Sequence, residues 1–170
     1  MEKIANNRER WLTLIIMAAV WICAACTPVS GPEIRATGAW VRAVDIQQGN
    51  SGDAASTMAT MMPGMSGATS AVYLTLQNTG SQADSLVSVS SDAAQSVEIH
   101  QTQMQNNVAS MQKVDRLDLP AKSSVQLQPG GYHLMLIGVN RSLVTGGKIT
   151  LNLQFEKSTP IQVEAEVRGP

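Results

Sequence analysis

Residues 71–80 read AVYLTLQNTG, an alternation of apolar and other side chains that ends in a turn. Val72, Leu74 and Leu76 lie two apart, so an extended strand sends all three to one face. Asn78-Thr79-Gly80 then supplies the residue types that reverse a chain. The pattern recurs in both directions. Upstream, Ala39–Val44 is a strand candidate with Trp40 as a core anchor. Downstream, strands are predicted over Leu86–Ser90, Ser96–Met104, Met111–Leu119, Ser123–Leu127, Tyr132–Val139, Lys148–Glu156 and Pro160–Val167. Turn residues at Gln105-Asn106-Asn107, Pro120 and Pro129-Gly130-Gly131 separate them. Short alternating strands at this spacing, with no helical pattern long enough for a βαβ unit, predict an all-β sandwich or barrel.

Composition agrees with that class. Hydrophobic residues are 44% of the 170 but aromatics only 4%, so the core must be built from Val, Leu, Ile and Ala. Charged residues are 15%, which leaves Ser, Thr, Gln and Asn to cover much of the surface. A formal net charge of -1 lacks the basic footprint that nucleic-acid binding requires.

The first 25 residues read as a signal peptide. Lys3, Arg8 and Arg10 precede an uncharged run, WLTLIIMAAVWICAA, over 11–25. That run is shorter than the roughly 20 residues a membrane-spanning helix wants. The chain is therefore expected to be exported across the cytoplasmic membrane, to the periplasm or the outer face of the membrane. Cys23 and Cys26 are the two cysteines of the chain. Ala24-Ala25-Cys26 resembles a bacterial lipobox, which would leave Cys26 as a lipid-modified first residue and the only link to a membrane surface. Simple secretion is the other reading, and an uncleaved anchor a third. Each secreted form lacks the cysteine pair that a disulfide or thiolate zinc site would need. The segment carries three of the 12 basic and two of the 13 acidic residues, so the remainder has a formal charge of -2. A tether over 26–38 and a β domain over 39–168 are expected to follow.

One stretch breaks the strand pattern. Residues 47–70, QQGNSGDAASTMATMMPGMSGATS, have no stable period and few bulky groups, and read as a flexible loop. Met58, Met61, Met62 and Met65 fall within it. They are either incidental to a low-complexity insertion or an accessory set of thioethers, since exposed methionine is otherwise a liability to oxidation.

The candidate chemistry rests on the two histidines, His100 and His133. In a strand, His133 and Met135 share a face while Tyr132, Leu134 and Leu136 take the other. His100 ends the run Val97-Glu98-Ile99-His100, and Met111 opens the next run after a turn, which can bring the two close without setting their register. Two imidazoles with two thioethers form a soft, neutral ligand set that favours Cu(I) over oxygen-seeking cations. Thioethers also escape the oxidation that makes thiols risky outside the cytoplasm. Equally, a methionine in a β domain can be core filler and a histidine a structural residue. Both readings stand on these residues alone. Met104, four residues after His100, is an accessory candidate, on the same strand face but roughly 13 Å along it.

From Trp40 onward the chain resembles the periplasmic copper chaperone PCu(A)C family. The likeness is carried by AVYLTLQNTG at 71–80, VEIH at 97–100, LQPGGYHLMLIG at 127–138, and the spacing of His100, Met111, His133 and Met135. It excludes the 47–70 loop. The resemblance implies a cupredoxin-like β fold and Cu(I) as the bound ion, with these four residues as its ligands. Cu(II) is a conceivable second ion. The implied partner is the copper-receiving subunit of a respiratory cytochrome oxidase, or another envelope copper chaperone, met by a monomer. The alternative is a structural envelope β domain in which the His/Met spacing is accidental. An enzyme is the weakest class, because the chain shows no nucleophile, acid–base or cofactor motif. Asp45, Asp84, Asp92, Asp115 and Asp118 read as solvated strand ends.

Overall fold

The computed structural model describes residues 31–46, 67–105 and 108–169. Ten strands carry the fold: β1 (Ile34–Arg42), β2 (Ala68–Asn78), β3 (Asp84–Ser91), β4 (Ala94–Gln105), β5 (Val108–Val114), β6 (Leu117–Leu119), β7 (Ser123–Leu127), β8 (Tyr132–Val139), β9 (Lys148–Phe155) and β10 (Ile161–Arg168). No helix occurs among the described residues. The strands run in the order β5-β4-β8-β7-β2-β1-β10-β9-β3-β6, with β8 also pairing β2 and β4 also pairing β3. The β3–β4 contact at Val89↔Val97 brings the two ends of this order together, so the sheet closes on itself. The expected all-β sandwich or barrel is therefore what the chain forms.

Alternation decides which side chains enter the barrel. Val72, Leu74 and Leu76 of β2 meet Leu134 and Leu136 of β8, Val41 of β1, Leu151 and Leu153 of β9, and Ala165 and Val167 of β10 in one continuous core. These aliphatic groups, with Phe155 as the core's phenylalanine, fill a space for which the sequence offers few aromatics. Trp40 is not the core anchor expected of it. Val41, one residue on, takes the core face, while Trp40 is half-buried on the other side and packs against Tyr73.

Three boundaries also differ from expectation. β1 begins at Ile34, inside the expected tether, because Ile34 and Ala36 pack on the core edge and pair with Asn78 and Leu76. β2 begins at Ala68, inside the expected loop, because Thr69 and Ser70 pair with Ile137 and Leu136. The run Met111–Leu119 is two strands. Val114 is opposite Ile99 on β4, whereas Leu117 is opposite Leu86 on β3, so the chain changes partner at Asp115–Arg116.

Two buried polar side chains pin the end of the barrel where β2 finishes and β3 begins. Asn78 donates to the Gln82 and Leu119 carbonyls at 2.8 and 3.1 Å and accepts from the Gly80 and Glu33 N–H groups at 3.0 and 3.3 Å. That uses every hydrogen bond an amide side chain can make. Gly80 is required beside it, since a Cβ there would stand 2.5 Å from Glu33 N and 2.6 Å from Pro32 Cα. Asp84 is buried rather than solvated. It accepts from the backbone N–H groups of Ser85, Lys157 and Ser158 at 2.8, 2.9 and 2.9 Å, and from the Ser158 hydroxyl. Burial pushes its carboxyl up, but the Ser158 hydroxyl and these amides outweigh it and hold the group below the ordinary value of 3.8. A depressed carboxylate contributes stability above the unfolded-state pKa that is lost as pH falls through the folded one. Asp84→Ala should therefore cost about 1–3 kcal/mol in chemical denaturation near neutral pH. It should also flatten the stability loss that acidification below pH 3.8 causes in the parent chain.

Candidate metal centre

The site is built by register. β4 and β8 are antiparallel, with Ile99 opposite Leu134 and Val97 opposite Leu136. Ile99, Leu134 and Leu136 lie in the core, so the intervening residues must face outward. His100 consequently stands directly opposite His133, and Glu98 opposite Met135. On the other side of β4, β5 sets Lys113 opposite His100 and Met111 opposite Thr102. Directly opposed residues share a face. The two histidines and both methionines of the expected set therefore lie on one outer face of three adjacent strands. Met104 shares that face, opposite Ala109 and nearer the β4–β5 turn. Met58, Met61, Met62 and Met65 lie outside the described residues.

The two imidazole rings are 5.8 Å apart between centroids, inclined at 49°. Tyr73 of β2 packs on the far side of His133 at 6.4 Å, and Trp40 of β1 on Tyr73 at 4.6 Å. The Arg168 guanidinium lies 5.9 Å above the Trp40 ring. Of these rings, Tyr73 and His133 line a cleft of about 370 Å³ together with Arg42, Thr102, Met111 and Met135, while His100 and Trp40 lie outside its lining. His100 and His133 are 7% and 6% exposed, while Met111 is 55% exposed. The imidazoles are thus held within the structure, and one thioether stands at the mouth.

Hydrogen bonds separate the two rings chemically. His100 Nε2 lies 2.9 Å from Glu98 Oε2, and Lys113 Nζ donates to Glu98 Oε1 at 2.7 Å. The His100 bond and then the Lys113 bond hold the Glu98 carboxyl below the usual glutamate range. His100 Nδ1 is buried and has no hydrogen-bond partner. His133 Nδ1 faces the Gly131 carbonyl at 3.2 Å. Among the described residues no three His, Cys, Asp or Glu side chains gather in a way that suits a hard cation or zinc. Met111 and Met135 add two thioethers to this face, and sulfur donors suit a soft monovalent ion.

Alternation alone places Glu98 on the His100 face, so its proximity was readable from VEIH. The roles of Lys113, Tyr73 and Trp40 were not, because each depends on strand register or on a strand distant in sequence.

Burial lowers the His133 pKa from its ordinary 6.5, and the neighbouring His100 adds to the shift, against a smaller opposing contribution from the Gly131 carbonyl. The unfolded chain therefore binds more protons than the folded chain between the two values, and stability must rise with pH across that window. Proton NMR should find the His133 midpoint below 6.5, with stability falling as pH drops from 6.5 toward that midpoint and levelling beneath it. A His133 midpoint at or above 6.5 would contradict the burial argument.

The family model described as "Putative lipoprotein LpqE-like" matches residues 34–167, from the start of β1 almost to the end of β10. "Putative lipoprotein Lxx21020" of Leifsonia xyli subsp. xyli (strain CTCB07) is 34% identical over 99 residues, which cover 58% of this chain and 60% of that protein. The match therefore spans less than two thirds of that relative. The apo PCuAC domain from PmoF1 superposes with a TM-score of 0.59 at 21% identity, covering 81% of this chain and 94% of that one. The Cu(I) form of DR1885 from Deinococcus radiodurans gives a TM-score of 0.55 at 27% identity, covering 89% and 85%. The β domain has the cupredoxin-like fold of PCuAC domains, and by the extent of its match the chain belongs to the LpqE-like family.

Proposed function

We propose that this chain is an extracytoplasmic Cu(I) carrier that holds one ion between His100, Met111, His133 and Met135 and passes it to another protein. The observation that carries this reading is the placement of His100 opposite His133, with Met111 and Met135 on the same outer face. Two neutral imidazoles and two thioethers match the coordination preference of Cu(I) and offer little to Mg(II) or Ca(II). That a solved neighbour, DR1885, is a Cu(I) form supports the choice of ion.

Handover follows from exposure. A ligand at the mouth can be exchanged for a partner's ligand before the buried pair lets go, and Met111 is the one so placed. Met104, 66% exposed on the same face, is the next thioether outward and serves as a transient ligand during exchange. Met58, Met61, Met62 and Met65 act as an accessory collecting arm, which also takes Cu(II) as a second cargo. The acceptor is the copper-receiving subunit of a respiratory oxidase, or an intermediary envelope chaperone. The lipoprotein description of the family supports export and a lipid anchor at Cys26. No catalytic step is assigned to the site.

Competition for Cu(I) with a chromophoric chelator tests this. The chain should take up one tight equivalent, and a chain lacking residues 58–65 should keep it. His133→Ala with Met135→Ala should weaken binding by more than the roughly 10–100-fold typical of outer-shell changes. Equal, weak binding by parent and double variant would end the carrier reading and leave a structural domain.

A further inference from the structure

We infer that Glu98, braced by Lys113, is a positioning residue that makes the two histidines present different ring nitrogens to the ion, Nδ1 from His100 and Nε2 from His133. This rests on the Cu(I)-carrier reading and adds to it which atoms bind and what selects them.

The argument begins with proton ownership. An ionised carboxylate can only accept hydrogen bonds, so the His100 nitrogen 2.9 Å from Glu98 must be the one that carries hydrogen. A neutral imidazole has one N–H, and its other nitrogen is a bare electron pair. For His100 that bare nitrogen is Nδ1, the atom found buried and without a partner. Leaving such an atom unsatisfied is costly, and a bound cation would give it the partner it lacks. His133 shows the reverse arrangement. Its Nδ1 faces the Gly131 carbonyl, another acceptor, so Nδ1 donates there and Nε2 is left free. Each ring is therefore oriented by an acceptor at the nitrogen that does not bind. A carboxylate or carbonyl behind a ligating histidine is the usual way a protein fixes tautomer and ring angle.

Lys113 explains why Glu98 acts behind the ligand rather than as a ligand. It stands opposite His100 across the β4–β5 pair and holds Glu98 Oε1 at 2.7 Å. Both carboxylate oxygens are thereby engaged, one on each neighbour. A free oxygen on this face would add a hard donor and shift the preference toward Cu(II). The ammonium also offsets the carboxylate charge, so the ligand set stays close to neutral around a monovalent ion. VEIH supplies the carboxylate two residues before the histidine, the spacing that a strand needs to put both on one face.

Long-range proton–nitrogen correlation spectra of the full chain, labelled with nitrogen-15 and recorded at mildly alkaline pH, test this without depending on copper. The metal-free chain should show His100 protonated at Nε2 and His133 protonated at Nδ1. Added Cu(I) should shift Nδ1 of His100 and Nε2 of His133. Glu98→Ala should mix the His100 tautomers and lower Cu(I) affinity by roughly 10–100-fold, with the His133 tautomer and the backbone spectrum unchanged. Proton on Nδ1 of His100 in the parent, a copper shift at its Nε2, or an unaltered His100 in the variant would each overturn the inference. A parent chain with these tautomers that takes no Cu(I) would instead overturn the carrier reading while leaving the Glu98 arrangement intact.

Discussion

Everything at the site depends on the pairing of β4 with β8. The side-chain period of a strand is two, so a slip of one residue would exchange the faces of β8 entirely. His133 and Met135 would then point into the barrel, and Leu134 and Leu136 would be set in water. Burying two large aliphatic side chains is worth roughly 1.5–3 kcal/mol each, which makes the slipped register prohibitive. The polar His133 ring, driven into an aliphatic core, would only add to that cost. The core holds the histidines opposite one another as a by-product of where the leucines must go, and β2 reinforces the choice by pairing Val72 with Leu134 from the other side. The packing of the core therefore organises this face without calling on a bound ion.

The ends of the barrel divide the work. At the end of β2, Asn78 and Asp84 satisfy several backbone groups through buried side chains, and their geometry leaves little freedom. The His/Met face lies instead where Ala71 pairs with Met135, and includes an edge strand, β5, whose residues are almost all exposed. Edge strands open at lower free energy than the strands they flank. Met111 sits on that edge and His100 on the strand inside it. In the proposed carrier, the ligand that exchanges first would thus be on the element that can move most cheaply, while both imidazoles stay on strands paired along both sides.

How much of this was legible follows from the range of each interaction. The strands and the core faces of β2 and β8 were visible because alternation is local and needs no partner. The pairing of His133 with Met135 on one face came the same way, from two residues. Met111 was harder. The turn after Gln105 does not set its own register, so its position opposite Thr102 had to come from the structure, and the four-residue set was readable beforehand only through family resemblance. Trp40 was misjudged because a large apolar residue was assigned to the core on its type, although the next residue, Val41, occupies the inward phase of the strand. Asp84 was misjudged for the opposite reason. A carboxylate near a strand end ordinarily faces water, and its burial depends on amides of Lys157 and Ser158, more than 70 positions away.

The same reasoning explains how Glu98 can stand beside the proposed site although its residue type argues against it. A carboxylate beside a Cu(I) site is an oxygen donor in the wrong softness class. Its place is consistent only if both oxygens are occupied elsewhere, and they are, by His100 and Lys113. The exposed side of this ion pair contributes little stability of its own, since Lys113 is largely solvated. Its effect is directional. It fixes which nitrogen of a buried ring carries hydrogen, and that choice decides whether the ring meets an incoming cation with a lone pair or with an N–H. In the proposed carrier, metal preference on this face would therefore be set by the thioethers of Met111 and Met135 together with the charged pair that engages the Glu98 oxygens.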